Sequence, residues 1–373
     1  MRTRQLRTTG RRTLIAVVCT GTLLLAAACG GTDDPDTSGG NAAGDCEPAG
    51  EKVTLSFTSW VPGMQKTVDL WNANNPDIQV KYKEVVGGNA GTYQAYSNQI
   101  KAGKTPDIGM IEFDNLPSFR LQDGLADLGA CKPVMDAKDK YVDWTMSQVG
   151  FGEEGAVYGV PMDIGPMALY YRKDLFKQAG IAVPTTWEEF YEAAKKVKAE
   201  GAVITDLPTD QPAWFTSLAW QNGASWFSVE GDEWSVSLDD EPTKQVADYW
   251  QKLVDEDLVD TIPGLSDPQF KALDTGKEWT IIGAAWTTKL LESAAPKTAG
   301  KWAVAPLPQW TAGDNAAGNW GGSTAVVFKG SEHPYEAAKF ATWAFSDPEA
   351  LALNNKNGGQ YPATTRARRN CRR

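Results

Sequence analysis

Val53-Thr-Leu-Ser-Phe-Thr-Ser-Trp60 alternates apolar and polar side chains, the two-residue period of a strand with one face buried. Pro62-Gly63 breaks the run. A helix-like stretch follows to about Asn74 and stops at Asn74-Asn75-Pro76. Ile78, Val80 and Tyr82 alternate again, residues 92–102 read as a second helix, and Asp107-Ile-Gly-Met-Ile-Glu-Phe113, entered through Thr105-Pro106, reads as a third strand. Strands that alternate with helices imply parallel pairing, so this part of the chain predicts the α/β class.

The middle of the chain repeats the logic. Met167-Ala-Leu-Tyr-Tyr171 is strand-like. Thr186-x-x-Glu189 is a capping box, and behind it Trp187, Phe190, Tyr191, Ala194 and Val197 line one helix face, with Gly201 as the stop. Residues 279–283, 301–305 and 324–328 read as strands. Pro334 opens a helix with Ala337, Phe340, Ala341, Ala344 and Phe345 on one side, and Asp347-Pro348-Glu349 opens the next with Asp as cap. No 20–50-residue repeat is present.

The 373 residues suffice for two domains or one two-lobed unit. The net charge of -11 hides a segregation: residues 1–29 and the last eight carry five Arg each and no acid, so residues 30–365 keep 26 basic against 47 acidic side chains, a balance of -21. Such a body repels nucleic acid and anionic headgroups and suits a neutral or cationic ligand. The N-terminus reads as an export signal, with a basic stretch ending in Arg11-Arg12 (a weak twin-arginine resemblance) and an apolar run from Leu14 to Ala28, too short for a membrane span. The run closes on Leu25-Ala26-Ala27-Ala28-Cys29, which resembles a lipobox except that Ala26 stands where Leu is usual. The reading is lipidation at Cys29, with ordinary signal-peptidase cleavage as the alternative. Residues 30–46 read as a flexible tether. Of five cysteines, Cys19 leaves with the signal, Cys29 takes the lipid and Cys371 sits in the basic tail; Cys46 and Cys131 remain in an oxidising compartment and are expected to form a disulfide, the alternative being two free thiols. His333 is the single histidine and no Cys/His spacing suits a metal, so neither a metal nor any other cofactor is expected.

Three stretches together resemble the sugar-binding, maltose-binding-protein-like family of bacterial extracellular solute-binding proteins. They are Tyr158-Gly-Val-Pro-Met-Asp163-Ile-Gly165-Pro166 with Leu169–Phe176 and Pro184-Thr-Thr-Trp187; Lys104-Thr-Pro-Asp107 through Asp114 with Leu121–Leu128; and Gly318-Asn-Trp320-Gly321-Gly322-Ser323 with the helix after Pro334. The resemblance covers roughly residues 50–362. It implies two α/β lobes joined by hinge strands around an interlobe cleft, with crossings near Met162–Gly165 and Gly321–Thr324. Lobe one is expected at 47–162 plus 323–365 and lobe two at 163–322, closing by hinge bending. The implied role is capture of a mono- or oligosaccharide at the outer face of the cytoplasmic membrane and delivery to the permease subunits of an ABC transporter. The protein would be a monomer held to the membrane through its lipid alone, binding no nucleic acid and catalysing nothing. Family members usually continue for several dozen residues beyond the position of Thr365. Here Arg366-Ala-Arg-Arg-Asn-Cys-Arg-Arg373 follows, which reads as a truncation or frameshift, or else as a natural basic tail.

A carbohydrate cleft pairs aromatic rings, which stack on sugar C–H faces, with planar hydrogen-bonding groups for the hydroxyls. Among 15 Trp, Trp60 at the end of the first strand is a ligand platform or core, at the strand edge where open α/β sheets bind ligands. Asp114, with Glu112 at the same edge, stands where the resemblance implies a carboxylate that accepts sugar hydroxyl hydrogens, the alternative being a helix cap for residues 115–121. Asp163 contacts ligand or braces the crossing. By the resemblance, Trp220 matches an aromatic on the lobe-two wall and Trp286 lies where relatives place a stacking aromatic, while Trp320, followed by two glycines, offers its indole as a surface. Gly321 and Gly322 let the backbone approach a ligand and flex. Trp71, Trp187, Trp250 and Trp343 lie on amphipathic helices and read as core. Two rival readings stand beside this one: the same fold holding a non-sugar solute, and a secreted glycoside hydrolase, which needs two carboxylates at a fixed separation that no sequence spacing reveals.

Overall fold

Two long strands, β4 (Val160–Arg172) and β11 (Asn319–Val327), run through the middle of the molecule and tie its halves together. The computed structural model describes residues 46–230 and 233–365. Cys29, the rest of the export signal, nearly all of the tether and the tail at 366–373 lie outside the described residues. The other strands, in chain order, are β1 (Val53–Ser59), β2 (Ile78–Glu84), β3 (Ile108–Glu112), β5 (Thr205–Asp206), β6 (Phe227–Glu230), β7 (Glu233–Val236), β8 (Val259–Asp260), β9 (Thr280–Ala284) and β10 (Trp302–Pro306).

The main sheet has the order β10-β4-β11-β3-β1-β2, with β9 also paired to β4. β1 pairs in parallel with β2 and β3, as strand–helix alternation predicts. Every pair involving β4 or β11 is antiparallel. The expectation of parallel pairing therefore holds for β1–β3 and for the short β5–β8 pair, and is corrected for the strands that pair with β4 or β11 and for β6–β7. β4 and β11 carry the chain between halves rather than closing β-α-β units, so nothing obliges them to run parallel.

Burial explains the local forms. Val53, Leu55 and Phe57 face inward on β1. The helix Trp187–Ala199 is capped by Thr186 Oγ1, which accepts from Glu189 N, while the Glu189 carboxylate accepts from Thr185 N. Asp347 caps Pro348–Gly358 through Glu349 N and Ala350 N. One hydrophobic core draws on residues 46–164 and 325–363, and the remaining core clusters draw on 167–320. Trp71, Trp187 and Trp250 are buried in these cores and Trp343 packs against the first. Cys46 and Cys131 are joined by a disulfide, which fastens the start of the described chain to the helix Lys132–Met135. His333 is half-buried, and its Nδ1 is enclosed without a partner among the described residues.

Candidate functional site

Sheet register assembles the site. β11 lies between β3 and β4, so Ser323 sits opposite both Glu112 and Asp163. One rung thus crosses three strands with two carboxyl groups flanking a serine, although the residues are up to 211 positions apart in sequence. Further along β4, Met167 lies opposite Ala284, the last residue of β9, and Trp286 follows two residues later. The strand ends meet where one hydrophobic core gives way to the next.

The crossing is packed backbone to backbone. A Cβ on Gly165 would lie 1.9 Å from the Trp320 carbonyl oxygen and 3.3 Å from Ala284 Cβ. Gly165 N donates to Asn319 Oδ1, and Ile164 N donates to Tyr361 O, which brings a third segment of chain against the crossing. Gly321 and Gly322 have φ of +81° and +110°, the left-handed region that glycine adopts without steric cost.

The structure brings Trp286 and Trp320 together edge to face, with ring centroids 5.0 Å apart. Their roles differ from the expectation for Trp320. Only 7 % of Trp320 is exposed, so its indole backs Trp286 instead of offering an open surface. Trp286 is half-buried, and its indole nitrogen is 3.8 Å from the position a Cβ on Gly321 would take. Trp60, also half-buried, directly follows β1 and meets Tyr93 edge to face at 5.7 Å. Trp220 closes the helix Pro212–Gln221, is 51 % exposed, and makes no ring contact with the Trp286–Trp320 pair.

The carboxyl groups divide by environment. Asp163 is buried, and its Oδ1 accepts from both the backbone N–H and the hydroxyl of Ser323. Burial pushes its acid up to about 6, against the opposing pull of the Ser323 bonds. These bonds join β4 to β11 at the crossing. Asp114 is exposed, accepts from Asn115 Nδ2, and caps nothing, because the helix Leu116–Leu121 has no side-chain cap bond. Glu112 is half-buried. Its Oε2 accepts from the Tyr93 hydroxyl at 2.9 Å, and its backbone N–H donates to the same oxygen at 3.0 Å. Desolvation raises its acid, Tyr93 lowers it, and the charges of Asp114 and Asp163 raise it further.

Sequence reasoning passed over Tyr93, which gave no signal beyond its place in the first turn of a helix. It also passed over Trp144, which meets Phe113 edge to face at 5.7 Å. A shallow depression of about 560 Å³ at the end of β2, lined by residues 83–86, Gly91, Thr92 and Ala95, touches none of the residues expected in the site. Among the described residues, no group of three or more His, Cys, Asp or Glu side chains could hold a metal ion, and no helix is long and apolar enough to cross a membrane.

Comparison with known proteins places this arrangement. Residues 56–350 match the family described as bacterial extracellular solute-binding protein. The arabinooligosaccharide-binding protein of Bacillus subtilis is 25% identical over 290 residues, 76% of this chain and 66% of that protein, so the chain spans about two thirds of that relative's length. The lactose-binding protein of Rhizobium radiobacter is 28% identical over 313 residues, 79% of this chain and 71% of that protein. Among solved structures, the galacto-N-biose-/lacto-N-biose I-binding protein of an ABC transporter from Bifidobacterium longum, in complex with lacto-N-biose, superposes with a TM-score of 0.76. It is 28% identical, and the match covers 85% of this chain and 79% of that one. The ABC transporter associated binding protein of B. animalis subsp. lactis, in complex with β-1,6-galactobiose, gives a TM-score of 0.71 at 30% identity over 84% of this chain and 77% of that one.

Proposed function

This chain belongs to the bacterial extracellular solute-binding protein family, and from that premise we propose that it captures a neutral carbohydrate outside the membrane and delivers it, chemically unaltered, to the permease subunits of an ABC-type importer. The observation that carries this reading is the Trp286–Trp320 pair set beside the Glu112–Ser323–Asp163 rung where the cores adjoin. An indole offers a flat apolar surface to sugar C–H groups, and carboxylates accept hydroxyl hydrogens. Trp320 holds the partly exposed Trp286 ring in place. The carbohydrates named for the relatives support the same ligand class.

In this reading lobe one is 47–162 plus 323–365 and lobe two is 163–322, a division supported by the separate cores. The two passages through β4 and β11 are the hinge. Binding without chemistry is favoured because the buried Asp163 is engaged by Ser323 and bracing the backbone, which leaves it unsuited to general acid–base work. Attachment through a lipid on Cys29 and action as a monomer belong to the same proposal.

A thermal-shift screen against neutral mono- and oligosaccharides tests it. A ligand that binds the native state alone raises the melting temperature, by an amount that grows with concentration over Kd. At least one neutral saccharide should do so. A screen in which none does, while a non-sugar solute stabilises the protein, would move the assignment to that solute.

A further inference from the structure

Tyr93 occupies an unusual junction. Its hydroxyl donates to Glu112 Oε2 and accepts from Glu112 N–H, so a single oxygen fixes both the backbone and the carboxylate at the end of β3. Its ring meets Trp60 edge to face at 5.7 Å and Phe119 at 5.5 Å. The loop at Gly88 lies flat on that ring: a Cβ there would fall 2.2–2.8 Å from three of its carbons. One tyrosine therefore sets the position of both an aromatic platform and a carboxylate at one strand edge.

The carboxylate is held but not used up. Oε2 is taken by Tyr93, while Oε1 makes no hydrogen bond to the described residues and is not enclosed. The titratable and charged groups facing Glu112 are Tyr93 from its helix, Asp114 from the same strand end, and Asp163 from β4. Among the described residues, no Lys or Arg pairs with Glu112, Asp114 or Asp163. A donor arriving from the solute is then the natural partner for Oε1.

We propose that Glu112 is a ligand-reading residue that accepts a hydroxyl hydrogen from the solute through Oε1, and that Tyr93 is the positioning residue that aims it while seating Trp60. The pair selects a hydrogen-bond donor next to an apolar ring face and rejects anionic sugars, whose carboxylate or phosphate would meet three acids with no counter-charge. This assignment rests on the carbohydrate reading for the nature of the solute, but the link between Tyr93 and Glu112 does not.

The test uses Tyr93→Phe, which keeps the ring against Trp60 and removes only the hydroxyl, and Glu112→Gln, which keeps the shape and removes the charge. In protein labelled with ¹³C at the Glu carboxyls, the Glu112 resonance is identified by its loss in E112Q. In Y93F it should titrate at higher pH than in the parent, because a hydrogen bond to the ionised form has been removed. With lactose and maltose as probes, E112Q should weaken binding about tenfold or more, the usual scale for a charge-assisted bond. Y93F should weaken it less at neutral pH and move the acid limb of its pH profile upward. An unmoved Glu112 titration in Y93F, or lactose and maltose affinities in E112Q equal to the parent's, overturns the assignment. A moved titration in a protein that binds neither lactose nor maltose nor any other neutral sugar supports the positioning role and defeats the carbohydrate reading.

Discussion

Replacing Gly165 by Ala is the sharpest perturbation of the crossing. The added methyl would stand 1.9 Å from the Trp320 carbonyl oxygen and 2.7 Å from its carbonyl carbon, against an ordinary contact of about 3.5–4 Å. The obstructing atoms belong to backbone, so no rotamer change relieves the clash, and β4 and β11 must separate by more than an ångström. Overpacking of this kind costs about 1–3 kcal/mol. Separation also strains the Gly165 N–H bond to Asn319 Oδ1, worth about 1 kcal/mol. We expect G165A to lose about 2–4 kcal/mol in urea unfolding. It should also weaken sugar binding, since Trp320 moves and Trp286 rests on it. The control is Gly87→Ala, where φ is -52° and nothing lies within 4 Å of a new Cβ, so the change should stay within about 0.5 kcal/mol. A G165A protein as stable as G87A, with unchanged binding, would refute the close-packed crossing.

Trp286→Ala should weaken binding of the sugar found by the screen about tenfold or more in calorimetric titration, the loss of part of an aromatic contact surface, whereas Trp220→Ala should change it less than about twofold. Double replacement of Cys46 and Cys131 by Ala releases a cross-link between residues 85 positions apart, and chain entropy puts the loss at about 4.5 kcal/mol in urea unfolding. Asp206 and Glu278 are buried together in the second half, 3 % and 0 % exposed, with Gln269 Nε2 donating to Asp206 Oδ1 and the Asp260 charge nearby. Burial raises Asp206 to about 6 and Glu278 well above the usual range. The native state therefore binds more protons than the unfolded chain, and stability falls as pH rises from about 4 through 6. Glu278→Gln should flatten the decline at higher pH in unfolding series at pH 5 and pH 8. Equal parental stability at the two pH values would contradict this.

Legibility followed the range of the interactions. β1 could be read because its buried face repeats every second residue, and the helix after Thr186 because its cap and its apolar stripe are local. β4 was visible only as a piece, Met167–Tyr171. Residues 160–165 are buried on both faces, which erases the alternation, so the close crossing at Gly165 is marked only by the family resemblance near Met162–Gly165. The antiparallel partners of that strand lie more than 100 residues away, and no local pattern encodes them.

The site shows the same division. Trp286 could be nominated from its place after β9 where relatives carry a stacking aromatic, and Trp320 from residue type and the glycines that follow it. Which ring stays open depends on their mutual packing, and that is settled only when β9 and β11 are brought against β4. Asp163 could be read as ligand contact or brace, and the Ser323 bonds that favour bracing come from 160 residues further along. Tyr93 was silent because its importance lies in what its hydroxyl and ring touch.

The most direct measurement of the central claim is a calorimetric titration of the full chain with a neutral oligosaccharide, followed by recovery and mass analysis of the bound sugar. One molecule should bind per chain, the affinity should collapse in Trp286→Ala, and the sugar should return intact. Failure of every neutral saccharide to bind, undiminished binding in the variant, or recovery of cleaved product would contradict the account.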